Sequence, residues 1–151
     1  IVKIQDILKF VFLSENDRFS YKNCTVYEND GKIRGFSFSY NYNEVEKMKK
    51  FWFNEVVKKF NLKQDDIIFD YNEVLEREFY LDTLYVFSEY RGEGVGNKLL
   101  TSFVNSSNTL LSLNVAQSNI RARKLYESYG FYKDCEIYIG HENYDHLIKT
   151  K

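Results

Sequence analysis

The chain has 151 residues, 44% apolar and 28% charged, and its formal net charge is −1. That length suits one domain with a full core. The mixed charge argues against a nucleic-acid or membrane-surface role, since either favours a basic excess.

In chain order, "IQDILKFVFL" places Ile4, Ile7, Leu8 and Val11 at helix spacing. "CTVYENDGKIRGFSFSY" predicts a hairpin, with Asn29-Asp30-Gly31 supplying turn residues that tolerate positive φ. From Asn43 to about Phe60 the pattern is helical again: Val45, Met48, Phe51, Trp52, Val56 and Phe60 recur at three- and four-residue steps. "LKQDDIIFDYNEVLE" reads as an acidic connection with one short helix, and "REFYLDTLYVF" as a strong strand. Glycines follow at positions 92, 94 and 96, then a helix with Leu99, Leu100, Phe103 and Val104 on one face. "TLLSLNVA" is a further strand. "SNIRARKLYESYG" starts on a Ser-Asn cap and stops at Gly130. A second hairpin around His141-Glu142-Asn143 closes the chain. This order predicts an α+β domain over residues 1–151: a mixed, mostly antiparallel sheet of about six to seven strands with helices on both faces.

Cys24 and Cys135 lie far apart without metal-ligand spacing and read as buried free thiols, which fits a reducing cytoplasm. No metal cluster is evident. No apolar run approaches the roughly 20 residues of a membrane span. The sequence opens at Ile1 without Met, so a trimmed N-terminus is one reading.

"YRGEGVGNKLL", Tyr90 to Leu100, joins a strand to a helix through glycines. Free N–H groups at a helix start carry partial positive charge, and glycine removes the Cβ atoms that would hold a phosphate away. A diphosphate fits such a row best. A Walker loop is excluded, because Asn97-Lys98-Leu99 is not Gly-Lys-Ser/Thr, and the glycine spacing of a dinucleotide fingerprint is missing. The competing reading is a turn that merely brings strand and helix close.

Arg91-Gly92-Glu93-Gly94-Val95-Gly96 resembles the Arg/Gln-x-x-Gly-x-Gly/Ala loop of the GNAT superfamily of acetyl-coenzyme-A-dependent N-acetyltransferases. "NIRARKLYESYGF", Asn119 to Phe131, is similar to the family's second signature, and "VYENDGKIRGF" to its early hairpin. The resemblance runs from about Asn23 to the C-terminus; the family's first strand is absent or short here. It implies that Arg91, Gly92, Glu93, Gly94, Val95, Gly96 and Asn97 hold the diphosphate of acetyl-coenzyme A. The strand Leu84-Tyr85-Val86 would meet the pantetheine arm, with a backbone N–H near Val86 steadying the oxyanion of a tetrahedral intermediate. Tyr126 would be the general acid for the departing thiolate and part of the cofactor site; core packing is its plainer reading. Asn119 would cap its helix, touch the pantetheine, or both. Arg121, Arg123 and Lys124 would reach the ribose phosphate or form a solvated face.

The general base is less defined. Asp82 is the candidate, an even step from Leu84 and Val86 and so expected on their face with Glu78 further back; a surface charge or structural hydrogen bond competes. Tyr80 stands where many members carry Glu. His141 and His146 read as surface residues. The implied acceptor is a primary amine of a small molecule, with Asp65, Asp66, Asp70, Glu73, Glu76 and Glu78 biasing the site toward a cation or else forming a solvated loop. Phe36, Phe38, Tyr40, Phe51 and Trp52 line either the pocket or the core. A protein or peptide N-acetyltransferase, and a non-catalytic acyl-coenzyme-A-binding regulatory module, are the alternatives. A homodimer through the late strands is a further expectation.

Overall fold

A computed structural model describes residues 3–63 and 73–151. The expected short helix of the acidic connection, and Asp65, Asp66 and Asp70, lie outside the described residues for the most part or entirely. In chain order the elements are α1 (Ile4–Leu13), β1 (Cys24–Asn29), β2 (Lys32–Asn41) and α2 (Val45–Phe51). A π-helical stretch, Trp52–Val56, runs on into α3 (Val57–Lys59). Then come β3 (Glu78–Val86), α4 (Val95–Asn105), β4 (Leu110–Ala116), α5 (Ile120–Ser128), β5 (Tyr132–Ile139) and β6 (Glu142–Lys149).

The six strands form one sheet in the order β1-β2-β3-β4-β6-β5. β3 and β4 run parallel and every other neighbouring pair is antiparallel. This is the expected mixed α+β sheet. Asp30 and Gly31 turn the first hairpin, both at positive φ, as a two-residue loop requires. The late hairpin turns at Gly140-His141 instead, because Gly140 takes the left-handed conformation and Ile139 pairs with Glu142. Glu142 and Asn143 therefore belong to β6.

Each face of the sheet carries its own core. On one face, Leu81, Leu111, Leu113, Val115 and Leu147 pack against Leu100 and Phe103 of α4 and, less deeply, Ala122, Leu125 and Tyr126 of α5. On the other, Tyr40 and Tyr80 pack with Val45 and Met48 of α2, while Ile7 and Val11 of α1 meet Trp52 and Val56. Phe38, Tyr40 and Trp52 are thus core residues, and Phe51 packs beside them.

Three sequence expectations need correction. His146 is fully buried rather than on the surface, because β6 is flanked by β4 and β5 and the ring finds polar partners inside. Glu73 and Glu78 are buried too, not part of a solvated loop. Cys24 and Cys135 are free but only half-buried.

Gly35 of β2 faces α4 at close range. A Cβ there would stand 2.7 Å from the Tyr85 carbonyl oxygen, 3.0 Å from Val95 and 3.2 Å from Leu99. Gly35→Ala is therefore expected to lower the urea midpoint by the equivalent of about 1–3 kcal/mol without changing the m-value.

Candidate active site

The site begins with a fault in the ladder. β2 and β3 pair evenly except between Phe38 and Ser39, which lie opposite Thr83 and Leu81, so Asp82 is an extra residue on β3. A bulge of this kind shifts the alternation of faces by one. Phe79, Leu81 and Leu84 consequently all pack with the α4 core, and the side chains of Leu84 and Val86 come nearest to Gly96 of α4. Glu78, Tyr80 and Asp82 do not share that face. The even spacing that placed Asp82 beside Leu84 and Val86 is overruled by the bulge.

Beyond the bulge the two parallel strands part. β3 and β4 pair from Glu78–Leu110 to Leu81–Leu113, and then no further. β4 continues along β6 to Ala116, and β3 continues along β2 to Val86. Phe87 donates its N–H to Arg34 of β2 at 3.0 Å, so the N–H of Val86, one residue earlier, points to the opposite side, into the gap. The Val86 carbonyl on that side accepts from Nε of Arg91 at 3.2 Å.

The glycine segment closes the wide end of this gap. Gly92 and Gly94 have φ of 83° and 79°, and nothing lies within 4 Å of where their Cβ atoms would be. Gly94 is the N-cap of α4, and its carbonyl accepts the helix's first bond, from Lys98 at 3.1 Å. Among the described residues, the N–H groups of Gly92, Gly94, Val95, Gly96 and Asn97 have no acceptor, whereas that of Glu93 reaches the Tyr90 carbonyl. This is an open row of donors at the positive end of a helix dipole. Two residues not singled out from sequence secure it. Arg34 of β2 binds Glu93 at 2.8 Å and lies over the Tyr90 ring, and Tyr129 at the end of α5 donates to the Asn97 carbonyl at 3.1 Å. Such contacts link segments distant in sequence, so spacing carries no trace of them.

α5 presents the other candidates. Asn119 caps it, its Oδ1 accepting from Ala122 N–H at 3.1 Å. At its far end Gly130, with φ of 89°, closes a Schellman turn: Gly130 N–H bonds the Glu127 carbonyl and Phe131 N–H the Tyr126 carbonyl. The rings of Tyr126 and Phe131 meet edge to face at 6.4 Å, the apolar contact that usually accompanies this cap. Among the described residues the Tyr126 hydroxyl has no protein hydrogen bond, and burial pushes the phenol above its ordinary range, so it stays protonated at neutral pH. Arg123 is committed to Glu127 and Asp145, not free to reach a phosphate. Arg121 and Lys124 are exposed.

Asp82 sits in a buried polar network. Its Oδ2 takes Nε of Arg18 at 2.7 Å and the Tyr40 hydroxyl at 3.2 Å, and its Oδ1 takes Thr83. Arg18 also pairs with Glu73, which accepts from the Tyr80 hydroxyl at 3.0 Å. Asn114, one residue past the last β3–β4 pair, bonds Tyr80 and His146, and His146 bonds Glu78 at 2.8 Å. Burial pushes the Glu78 carboxyl up, but His146, the Leu75 N–H and Ser112 together hold it below its ordinary value. A carboxyl depressed by folding stabilises the protein fully above its unfolded pKa and loses that contribution as pH falls through the folded one. Glu78→Gln is expected to cost about 2–3 kcal/mol at neutral pH, and less as the pH drops below about 4, in chemical denaturation followed against pH.

Among the described residues no group of His, Cys, Asp and Glu could hold a metal ion, and no helix is long and apolar enough to cross a membrane. The comparisons agree with the geometry. Residues 24–141 match a family model described as an acetyltransferase (GNAT) domain. No curated protein matches the sequence. Among solved structures, an N-acetyltransferase from Staphylococcus aureus Mu50 is 31% identical over 97% of this chain and 80% of its own, with a TM-score of 0.83. A structure described only as an acetyltransferase is 32% identical over 99% and 82%, with a TM-score of 0.82. Arabidopsis thaliana Naa50, solved in complex with the bisubstrate analogue CoA-Ac-MVNAL, shares the fold at 17% identity over 99% of this chain and 95% of its own, with a TM-score of 0.59. A bulged strand, a parted parallel pair and an open donor row at a helix start thus coincide with a matching family model, and the chain belongs to the GNAT acetyltransferases.

Proposed function

We propose that this acetyltransferase moves an acetyl group from acetyl-coenzyme A to the primary amine of a small molecule. The observation that carries the cofactor reading is the unpaired donor row at the start of α4. The N–H groups of Gly92, Gly94, Val95, Gly96 and Asn97 would take the diphosphate, with Arg91 beside them. A Cβ at Gly92 or Gly94 would occupy that space. The edge of β3 from Leu84 to Val86 lacks a strand partner on the gap side and suits an amide-bearing arm. Bound there, acetyl-coenzyme A supplies a thioester.

The residues of the chain then have distinct roles. The Val86 N–H stabilises the acyl oxygen as it gains charge. As the new N–C bond forms the amine nitrogen gives up its proton to solvent, and as the C–S bond breaks the Tyr126 hydroxyl gives its proton to the departing sulfur and recovers one from solvent. Asp82 we assign to holding the bulge rather than to taking the amine's proton, since both its oxygens are occupied and one pairs with Arg18. Glu73 and Glu78 are equally committed, so the acceptor proposed is a small amine selected without their help.

Thiol release from acetyl-coenzyme A with a panel of small primary amines tests this reading. Turnover of at least one amine is expected, and Tyr126→Phe should lower its kcat about 100-fold with the KM for acetyl-coenzyme A little changed. Turnover of N-terminal peptides alone would overturn the acceptor class. An unchanged Tyr126→Phe rate across the pH range would remove the acid.

A further inference from the structure

The helix that carries Tyr126 is weakly anchored by apolar contact. No residue of α5 is fully buried; Ala122, Leu125 and Tyr126 pack only partly against the core. Its polar anchor is Asp145 of β6, which is 1% exposed. Oδ1 of Asp145 accepts from Gln117 at 2.9 Å and from Lys133 at 2.9 Å, and Oδ2 takes Nη1 of Arg123. Gln117 stands just ahead of α5 and Lys133 just beyond it on β5. Arg123 lies within α5, one turn before Tyr126. A single carboxylate therefore grips the entry, the middle and the exit of the helix. Arg123 is braced in turn by Glu127 at 2.9 Å. Burial pushes the Asp145 carboxyl up, but Lys133, Gln117 and Arg123 outweigh it and hold the group below its ordinary range, ionised at neutral pH.

We propose that Asp145 is a positioning residue for Tyr126: it fixes the rotation of α5 on the sheet and so the place of the phenol. Residues three apart stack on one helix face, so a turn of the helix that frees Arg123 also swings Tyr126. A misplacement of about 1 Å at a reacting group costs on the order of 100-fold in rate. The proposal rests on Tyr126 acting as the acid, and its test separates the two claims.

In the full chain, Asp145→Asn should lower kcat at least tenfold with the KM for acetyl-coenzyme A little changed. The same substitution in Tyr126→Phe should cause no further loss, because the effect passes through the tyrosine. Arg123→Gln, which leaves Asp145 paired with Lys133 and Gln117, should show the same non-additivity if Asp145→Asn fails to fold. Hydrogen exchange supplies an arm independent of activity: the amides of residues 120–128 should exchange faster in either folded variant, those of residues 95–105 unchanged. Additive kinetic losses, or exchange in α5 equal to wild type, would overturn the positioning role. Should Tyr126→Phe alone have no effect, the acid assignment falls and the exchange result alone decides the positioning.

Discussion

The ion pair between Arg18 and Asp82 sits where the geometry of the site is decided. Asp82 is the extra residue of the bulge, and the bulge does two things. It turns Leu84 and Val86 toward α4, and it ends the pairing of β3 with β4 at Leu81–Leu113. A carboxylate with 5% of its side chain exposed needs a partner. Arg18, with 3% of its side chain exposed and surrounded by Asp82, Glu73 and the rings of Phe19 and Tyr40, is that partner. Burial disfavours the guanidinium's charge, yet Asp82, Tyr40 and Glu73 together hold it firmly protonated. The network then crosses the sheet through Tyr80 and Asn114 to His146 and Glu78, and pins the strands together at the point beyond which they diverge.

Two helix ends complete the arrangement. α4 starts at the mouth of the gap and leaves its first donors unpaired; α5 ends in a Schellman turn whose apolar contact is the Tyr126–Phe131 ring pair. The same bonds that terminate α5 therefore help to orient the residue proposed as acid. Tyr129, next along, reaches back to Asn97 and Thr101 of α4, so the donor row and the acid are mechanically connected.

Much of this was legible in the sequence because it depends on local rules. Glycines at 92, 94 and 96 before an apolar helix, Asn119 as a cap, Gly130 as a stop and Asp30-Gly31 as a turn each act within a few residues of their own position. What could not be read were long-range partnerships. The carboxylate at the bulge, Asp82, finds its partner in Arg18, 64 positions away, and without the bulge the period-two rule puts Asp82 on the wrong face. His146 looked like a surface residue because its partners, Asn114 and Glu78, lie in strands that only the folded sheet brings beside it. Glu73 and Glu78 looked like loop charges for the same reason.

The central claim is that the parted strand and the open helix start together form a seat for coenzyme A. Amide resonances followed by NMR during a coenzyme A titration test it most directly. The account predicts saturable shifts at Gly92, Gly94, Val95, Gly96, Asn97 and Val86, with the amides of β5 unmoved. Saturation with those six amides unaffected, or no binding at all, would contradict it.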